Sequence, residues 1–278
     1  MGKEIWNGSD FSLAQTVECG QCFRFHKKDG RYTVIAGHRV GAFVQEDDSI
    51  LFYGEEGDIP FWRNYFDWER DYGGLKKQLS AGDAVMAEAI SYAPGIHLLR
   101  QEFFEMLISF IISQNNHIPR IQGIIARICE RYGREIGEGY FAFPTPEELA
   151  LADEEALRRL GCGFRARYIV DAVEKAKTKA FSPEILQTLP TEALRQRLME
   201  ICGVGQKVAD CVMLFSLGRY EVFPADVWIR RVMSEAYFAG NPLSARELQQ
   251  AAAERFGAKA GFAQQYLFHY GRGKKIGK

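Results

Sequence analysis

The spacing of apolar residues changes about a third of the way along this chain, and the change limits the folds that it can adopt. Residues 22–54 alternate apolar and polar side chains in short runs, which is typical of antiparallel strands with one buried face. From about Asp67 the spacing lengthens toward the helical period, and from Leu98 onward it is almost entirely helical. The pattern predicts an α+β fold, with an N-terminal antiparallel β-sheet domain over 1–96 and a larger all-α domain over 97–278.

Turn and helix signals divide the two parts further. The pairs Asp29-Gly30 and Asp47-Asp48 predict tight turns between strands. Thr145, followed by a proline, has the signature of a helix N-terminus. We expect helices over 97–114, 120–133, 145–161, 164–180, 191–201, 206–217, 227–238, 244–256 and 262–270.

Composition excludes several classes of protein. Of 278 residues, 47% are hydrophobic, which is enough for a packed core, yet no apolar run reaches the length of a membrane span. The opening MGKEIWNGSD lacks the basic and then apolar pattern of a signal peptide. We therefore expect no membrane association and a location in the cytoplasm or nucleoid, or in the nucleus if the source is a eukaryote.

The six cysteines are scattered, which argues against a disulfide framework in a chain of this length. Cys19 and Cys22 form a single CxxC pair without a second pair or a histidine cluster. We interpret them as two half-buried residues beside a turn, and we expect neither a metal nor a cofactor.

Charge is distributed unevenly along the chain. The net charge is −1, but 1–96 carry 10 basic and 15 acidic residues, while 97–278 carry 25 basic and 21 acidic. A local basic surface can bind phosphates even when the total charge is near zero. Charged helix faces are often merely solvated, so this signal is weak alone.

The segment 198–232 holds the most informative motif. Gly203-Val204-Gly205 separates two predicted helices, and two glycines around one apolar residue form a tight turn with exposed backbone N–H groups. At a helix N-terminus such donors suit a phosphate, which indicates a helix-hairpin-helix that binds the DNA backbone.

Lys207 lies in the first turn after this hairpin. The positive end of the helix dipole disfavours a second positive charge there and favours the neutral amine that a nucleophile needs. Cys211 follows four residues later on the same helix face. Taken alone, an exposed surface lysine and a core cysteine are the simpler explanation of these two residues.

Asp226 precedes another apolar-periodic helix and is a natural N-cap. A carboxylate fixed there can also stabilise the oxocarbenium character that develops when a glycosidic bond breaks. A lysine amine could then capture the sugar carbon, and the resulting Schiff base permits strand cleavage by β-elimination. Capping and catalysis are compatible roles for this residue.

Together these motifs resemble the helix-hairpin-helix DNA glycosylase superfamily and, within it, the 8-oxoguanine DNA glycosylases. GVGQKVADC with FPADV is similar to the family's hairpin. The resemblance implies a bifunctional glycosylase and AP lyase, with Lys207 and Asp226 as catalytic residues. It also implies a duplex DNA substrate that contains 8-oxoguanine, and one everted base needs only a monomer.

The resemblance further implies a base pocket. ECGQCFRF is similar to the family motif whose glycine carbonyl, here Gly20, accepts a hydrogen bond from N7–H of 8-oxoguanine. GFAQQYLFHYGR is similar to the helix on which Gln264 contacts the Watson–Crick edge of the everted base. Phe268 would stack on one side of that base and Cys211 on the other. A turn glycine and a core aromatic are the ordinary explanations of Gly20 and Phe268.

SQNNHIPRIQG is similar to the loop that fills the gap left by the everted nucleotide, a place that Asn115 would occupy. The resemblance assigns Arg120 and Arg165 to the orphaned cytosine and Phe164 to a wedge. Two surface arginines are the simpler interpretation. Trp228 departs from the pattern, because many relatives carry a histidine that contacts phosphate there, and Phe164 replaces a commoner tyrosine.

Two other functions stay open as alternatives, whereas the endonuclease III type is excluded. An endonuclease III type would need an iron–sulfur site, yet no cysteine follows Cys211. A glycosylase for alkylated bases typically lacks the lysine, although a glycosylase for another damaged purine stays open. A non-catalytic helix-hairpin-helix module would not need Lys207 and Asp226 together.

Overall fold

A computed structural model of the chain describes residues 2–8, 10–137 and 139–276. Its N-terminal part contains a five-stranded antiparallel sheet with strand order β1-β5-β4-β3-β2. The strands are β1 (Gly2–Asn7), β2 (Phe25–Lys28), β3 (Arg31–Ala36), β4 (Arg39–Glu46) and β5 (Ser49–Gly54).

The predicted turns join β2 to β3 and β4 to β5. Asp29, Gly30 and Asp47 have positive φ angles of 50°, 77° and 51°, as tight hairpin turns require. The predicted meander is confirmed, but β1 was not predicted. Its pairing with β5 joins residues about 45 positions apart, and local periodicity carries no information about such a pairing.

One face of the sheet is covered by aromatic side chains. The rings of Phe43 and Phe52 lie 5.2 Å apart, and Trp62 meets Phe43 edge to face at 5.2 Å. Trp62 comes from a helix that follows the sheet, and it is fully buried together with Trp6. Such aromatic pairs stabilise a core by about 0.5–1.5 kcal/mol each beyond their buried area.

Helices form most of the remaining described structure. They are α1 (Leu13–Glu18), α2 (Ile59–Tyr65), α3 (Tyr72–Ser80), α4 (Ala84–Tyr92), α5 (Phe103–Ser113), α6 (Ile118–Tyr132), α7 (Pro146–Leu149), α8 (Glu154–Arg159), α9 (Ala166–Ala176), α10 (Pro183–Thr188), α11 (Thr191–Met199), α12 (Gln206–Ser216), α13 (Val227–Tyr237), α14 (Ala245–Phe256) and α15 (Ala260–Lys274). A small hairpin of β6 (Glu135–Gly137) and β7 (Tyr140–Phe141) follows α6. The α+β fold class is confirmed.

Most predicted helices are present within a few residues, but the helix expected over 145–161 is divided into α7 and α8, because Asp153 caps a new helix. Thr145 caps α7 through a capping box as its sequence indicated. The helix expected over 97–114 begins only at Phe103, because 97–101 are bonded to other parts of the chain. The helix expected over 164–180 starts with a short 3-10 turn and ends at Ala176.

The large helical core also includes Tyr72, Leu79 and Met86, which precede residue 96. The domain boundary near residue 96 stays a prediction. Among the residues that the structure describes, no helix has both the length and the apolar character needed to cross a membrane.

Residues 97–101, here called the connecting segment, run between the sheet and the helices. The side chain of Gln21 donates to the carbonyl of His97 at 2.7 Å and accepts from the backbone N–H of Leu99 at 2.9 Å. At the other end, the backbone N–H of Gln101 donates to the Phe215 carbonyl at 2.9 Å. Gln21 is fully buried, so these bonds are shielded from water.

His97 in this segment is buried as a neutral imidazole. Its Nδ1 donates to the Phe66 carbonyl at 3.0 Å, its ring stacks on Tyr72 at 3.6 Å, and its Nε2 has no hydrogen-bond partner. Burial lowers the pKa of His97 from 6.5 to about 4. A proton on Nε2 would place an unpaired charge inside the protein.

We predict that His97 makes this protein sensitive to mild acid. Because the folded pKa lies below the unfolded value, the stability it provides is complete above pH 6.5 and is lost as the pH falls toward 4. Between pH 7 and 4.5, the loss from this residue is about 2–3 kcal/mol. Urea unfolding at both pH values should show a drop that is smaller by this amount in His97→Gln. An equal drop in both proteins would contradict the assignment.

Candidate active site

The predicted hairpin lies between α11 and α12. Gly203 has a φ of 76°, and a β-carbon there would lie 2.4 Å from a ring atom of Tyr168. Val204 is buried and anchors the turn. Gly205 is the N-cap of α12 and has open space around it, and no side chain caps the helix. The first N–H groups of α12 are therefore available to an anion.

A buried ion pair joins the two helices of the hairpin. Arg195 on α11 donates through Nε to Asp210 Oδ1 on α12 at 2.7 Å, and the Asp210 side chain is fully buried. Burial raises the pKa of Asp210, and the Arg195 guanidinium opposes that rise. This pair was not expected from the sequence, since a single charged residue does not identify its partner on another helix.

Lys207 lies in the first turn of α12 and is half-buried. Its Nζ is 5.2 Å from the centre of the Phe110 ring on α5. Cys211, one turn later, is buried, and burial raises the pKa of its thiol to about 11. The charge of Lys207 opposes this rise, while the charges of Asp210 and Asp226 reinforce it. The charges of Lys207 and Asp226 thus both influence the pKa of the Cys211 thiol.

Asp226 is the N-cap of α13, as its sequence position indicated. Its Oδ1 accepts a hydrogen bond from the backbone N–H of Ile229 at 2.9 Å. The preceding residue, Ala225, lines a cavity of about 40 Å³ together with Lys207 and Arg230. The structure therefore brings the start of α13 next to the start of α12, with the amine and the carboxylate at neighbouring helix N-termini.

Gly20 lies beside the residues expected to form the base pocket. Its φ is 93°, and a β-carbon there would lie 3.4 Å from a ring atom of Phe268 and 3.2 Å from Arg272 Nη1. Within the described residues, the Gly20 carbonyl receives no hydrogen bond from the protein. Gly20 and Phe268 come from opposite ends of the chain, and the fold makes them neighbours.

Gln264 lies one turn before Phe268 on α15. It is buried, and its Oε1 has no hydrogen-bond partner. A buried polar atom without a partner costs about 1–3 kcal/mol. Such an atom is suited to a ligand that supplies the missing donor.

A chain of ring contacts connects this pocket to Lys207. Phe23, three residues after Gly20, meets Phe110 edge to face at 5.9 Å, and Phe110 lies under the Lys207 amine. The segment that carries Gly20 is therefore connected to the Lys207 amine through two packed rings.

The loop between α5 and α6 is held by one arginine. Arg165 is buried; it donates through Nε to the Gln114 carbonyl at 2.8 Å and through Nη2 to the Asn115 carbonyl at 3.0 Å. Asn115 has a positive φ of 47°. Burial lowers the pKa of Arg165, and the charge of nearby Arg120 lowers it further. The structure thus places Arg120 near Arg165, but Arg165 uses most of its donors on the loop.

Phe164 is 47% exposed and packs against the Arg165 guanidinium, which lies 4.4 Å from its ring centre. It lies next to the Asn115 loop, because the adjacent Arg165 side chain binds the Asn115 carbonyl. The wedge role of Phe164 stays a prediction.

Two family models together span most of the chain. Residues 5–107 match the N-terminal domain of 8-oxoguanine DNA glycosylase, and residues 108–257 match the HhH-GPD superfamily of base excision DNA repair proteins. The chain belongs to the 8-oxoguanine DNA glycosylase family. It is 34% identical to the N-glycosylase/DNA lyase of Saccharomyces cerevisiae, over 85% of this chain and 71% of that protein.

Solved structures of glycosylases in this family have the same fold. MBOgg1 in complex with a low-affinity DNA ligand is 43% identical, with a TM-score of 0.94 over 98% of this chain and 96% of that one. The Clostridium acetobutylicum 8-oxoguanine glycosylase/lyase, in complex with duplex DNA containing cytosine opposite 8-oxoguanine, is 36% identical. Its TM-score is 0.91 over 99% of both chains.

This glycosylase differs from the expected family pattern at Trp228, in the first turn of α13. The Arg231 guanidinium lies 5.4 Å from its ring centre, one turn further along the helix. The sequence analysis did not consider Arg231. A positive charge is therefore present on this helix turn although Trp228 itself carries none.

The cysteines of the CxxC pair are not half-buried, and that expectation was wrong. Cys19 and Cys22 are both fully buried, because the segment that carries them lies between the sheet and the helical core. Burial raises the pKa of Cys19 to about 11. A buried thiol of this kind is unreactive.

We predict that Gly20→Ala destabilises this glycosylase more than Gly30→Ala does. Both glycines have a positive φ, and that strain costs about 1–3 kcal/mol with an alanine. At Gly30 nothing lies within 4 Å of the new β-carbon, whereas at Gly20 Arg272 Nη1 lies at 3.2 Å and must move by a few tenths of an ångström, and Phe268 is in contact at 3.4 Å. Unfolding in urea measures the difference. Equal losses would show that the surroundings of Gly20 have room for a side chain.

Proposed function

We propose that this protein removes 8-oxoguanine opposite cytosine from duplex DNA and then cleaves the strand at the abasic site. The observation that carries the proposal is the meeting of two groups of residues. Lys207, Cys211 and Asp226 lie near one another at neighbouring helix starts. Gly20 lies beside Phe268, and the rings of Phe23 and Phe110 connect the Gly20 segment to the Lys207 amine. Family membership supports both activities, since relatives are N-glycosylase/DNA lyases.

The hairpin of Gly203, Val204 and Gly205 holds the DNA backbone. Its uncapped α12 N-terminus offers backbone N–H groups and a positive dipole end to a phosphate. This contact is independent of sequence, so it permits the enzyme to act wherever a lesion occurs.

The everted base enters the pocket between Phe268 and Cys211. Gly20 supplies a carbonyl acceptor to N7–H, a donor that 8-oxoguanine has and guanine lacks. Gln264 supplies the amide whose oxygen has no protein partner, and this amide contacts the Watson–Crick edge. A carbonyl facing the bare N7 of guanine repels it. The same oxygen atom therefore favours the binding of 8-oxoguanine and disfavours the binding of guanine.

Chemistry begins with the neutral Lys207 amine. Its nitrogen forms a bond to C1′ as the bond from C1′ to N9 of the base breaks, and the base leaves with a proton. Asp226 stabilises the positive charge that develops on the sugar. The C1′–O4′ bond then opens and a proton passes from the lysine nitrogen to O4′, which leaves a Schiff base at C1′. Loss of a proton from C2′ of this Schiff base eliminates the 3′ phosphate, which is the lyase step.

The opposite strand is read by the loop at Asn115. Asn115 fills the space of the everted nucleotide, Phe164 wedges beside it, and Arg120 donates to the orphaned cytosine. Arg165 is its partner in this role, because it holds the loop through the Gln114 and Asn115 carbonyls and its charge interacts with that of Arg120. The enzyme acts as a monomer, because one everted base needs one pocket, and it acts at the nucleoid, or in the nucleus of a eukaryote.

Trapping with borohydride tests the nucleophile. Borohydride reduces a Schiff base, so the wild-type protein should become covalently linked to duplex DNA that contains 8-oxoguanine opposite cytosine. Lys207→Gln should abolish the linkage because no amine remains beside C1′. Lys177→Gln, at an exposed lysine paired with Glu174, serves as the matched control and should trap normally. Full trapping by the Lys207 variant would show that another amine is the nucleophile.

Arg120 is tested through opposite-base preference. Arg120→Ala should reduce the preference for cytosine over the other three bases by about 1–3 kcal/mol, since a lost bidentate contact costs that much discrimination. Single-turnover excision from four duplexes measures it. Arg131→Ala, at the far end of α6, is the control. Unchanged ratios in the Arg120 variant would remove it from this role.

A further inference from the structure

The backbone carbonyls on either side of Gly20 are each held by a side chain from a distant part of the chain. Arg272 Nη2 donates to the Glu18 carbonyl at 3.2 Å, and Gln265 Nε2 donates to the Cys19 carbonyl at 3.4 Å. Gln101 Nε2 donates to the Gln21 carbonyl at 2.8 Å. In the described part of the chain, the Gly20 carbonyl alone among these four has no protein donor.

Arg272 differs from the other two donors, because it also contacts the pocket. Its guanidinium carbon lies 5.3 Å from the centre of the Phe268 ring. Its Nη1 is 3.2 Å from the place that a β-carbon on Gly20 would occupy. One planar group therefore touches both the ring and the segment that contains the free carbonyl.

The spacing on α15 explains this placement. Gln264, Phe268 and Arg272 follow one another at intervals of four, so they lie along one face of the helix. The half-buried Arg272 is at the outer end of that face, where its charge stays partly hydrated.

We propose that Arg272 is a positioning residue that sets the preference of this enzyme for 8-oxoguanine. This inference rests on the proposed function, and it adds a residue that couples the stacking ring to the reading carbonyl. By holding the Glu18 carbonyl and the Phe268 ring at once, Arg272 fixes the distance between the Gly20 carbonyl and the plane of the bound base.

The physical reason is that the strength of a hydrogen bond falls steeply as its distance and angle depart from the ideal. A single carbonyl distinguishes N7–H from a bare N7 only when the base plane is held at the right height and angle. Gly20 lies in a short turn and has no side chain of its own to restrain it. A planar guanidinium can stack and donate at the same time, which an ammonium cannot.

Two rates measured on the same variants separate positioning from other roles. The first is single-turnover release of 8-oxoguanine, and the second is strand cleavage at a pre-formed abasic site, which places no base in the pocket. Arg272→Leu should slow base release about tenfold, as a displaced reacting group does, and leave abasic-site cleavage close to wild type. Arg272→Lys keeps the charge and a donor but not the plane, and it should restore part of the rate.

Lys274→Leu is the matched control. It removes a positive charge from the same helix, where Lys274 lies over the ring of Tyr92 and away from Gly20. Both of its rates should equal those of the wild type, which separates the loss of charge from the loss of position.

Three outcomes would overturn the inference. Unchanged base release in Arg272→Leu would show that the residue is not needed for positioning. Equal losses in both assays, with a weaker dependence on salt, would instead assign Arg272 to a DNA phosphate. Equal losses with a lowered melting temperature would assign it to stability alone. A wild-type protein that cleaves abasic DNA but releases no 8-oxoguanine would contradict the proposed function itself.

Discussion

The buried side chain of Gln21 connects the two parts of this protein, and the geometry of the pocket depends on it. Its amide donates to the carbonyls of Thr16 and His97 and accepts from Leu99, and it has no access to water. A buried amide whose hydrogen bonds are all made fixes the segments that it joins, because any displacement of those segments leaves polar atoms without partners. The next residue toward the N-terminus is Gly20, so the bonds that join the sheet to the helices also fix the position of its carbonyl, the acceptor in the proposed base recognition. The sheet thus contributes to the site although it supplies no residue that performs chemistry.

The other half of the site depends on two helix N-termini that face each other. The start of α12 carries Lys207, and the start of α13 carries Asp226, which caps its own helix. The backbone N–H of Ile229 donates to the Asp226 carboxylate and fixes it at the start of α13, and the Lys207 amine lies one turn before the buried Cys211. The Arg195–Asp210 pair and the packing of Gly203 on Tyr168 hold α12 in the orientation that this arrangement needs. A neutral nucleophile beside an ionised carboxylate is the state that the proposed chemistry requires.

Much of the local structure could be predicted from the sequence. Thr145 and Asp226 cap helices as expected, because an N-cap is decided by residues three positions apart. The turns at Asp29 and Asp47 were predicted for the same reason, since neighbouring residues decide them. The predictions that failed concern long-range contacts. The strand β1 needs β5, the connecting segment is extended because Gln21 and Phe215 take its hydrogen bonds, and Cys19 is buried because two cores meet over it. None of these partners is visible within a window of ten or fifteen residues.

The sequence by itself determined the helices, their caps and the glycine hairpin, since backbone preference and contacts one turn apart decide these features. It also contained the motifs from which the family resemblance was drawn. Only the tertiary structure decided that Gly20 and Phe268, near opposite ends of the chain, lie in contact, and that Arg272 touches both. It also decided that Arg165 holds the Asn115 loop through backbone carbonyls. Backbone carbonyls are the same at every residue, so which of them a side chain reaches depends on how the elements pack and not on the residue type at that position.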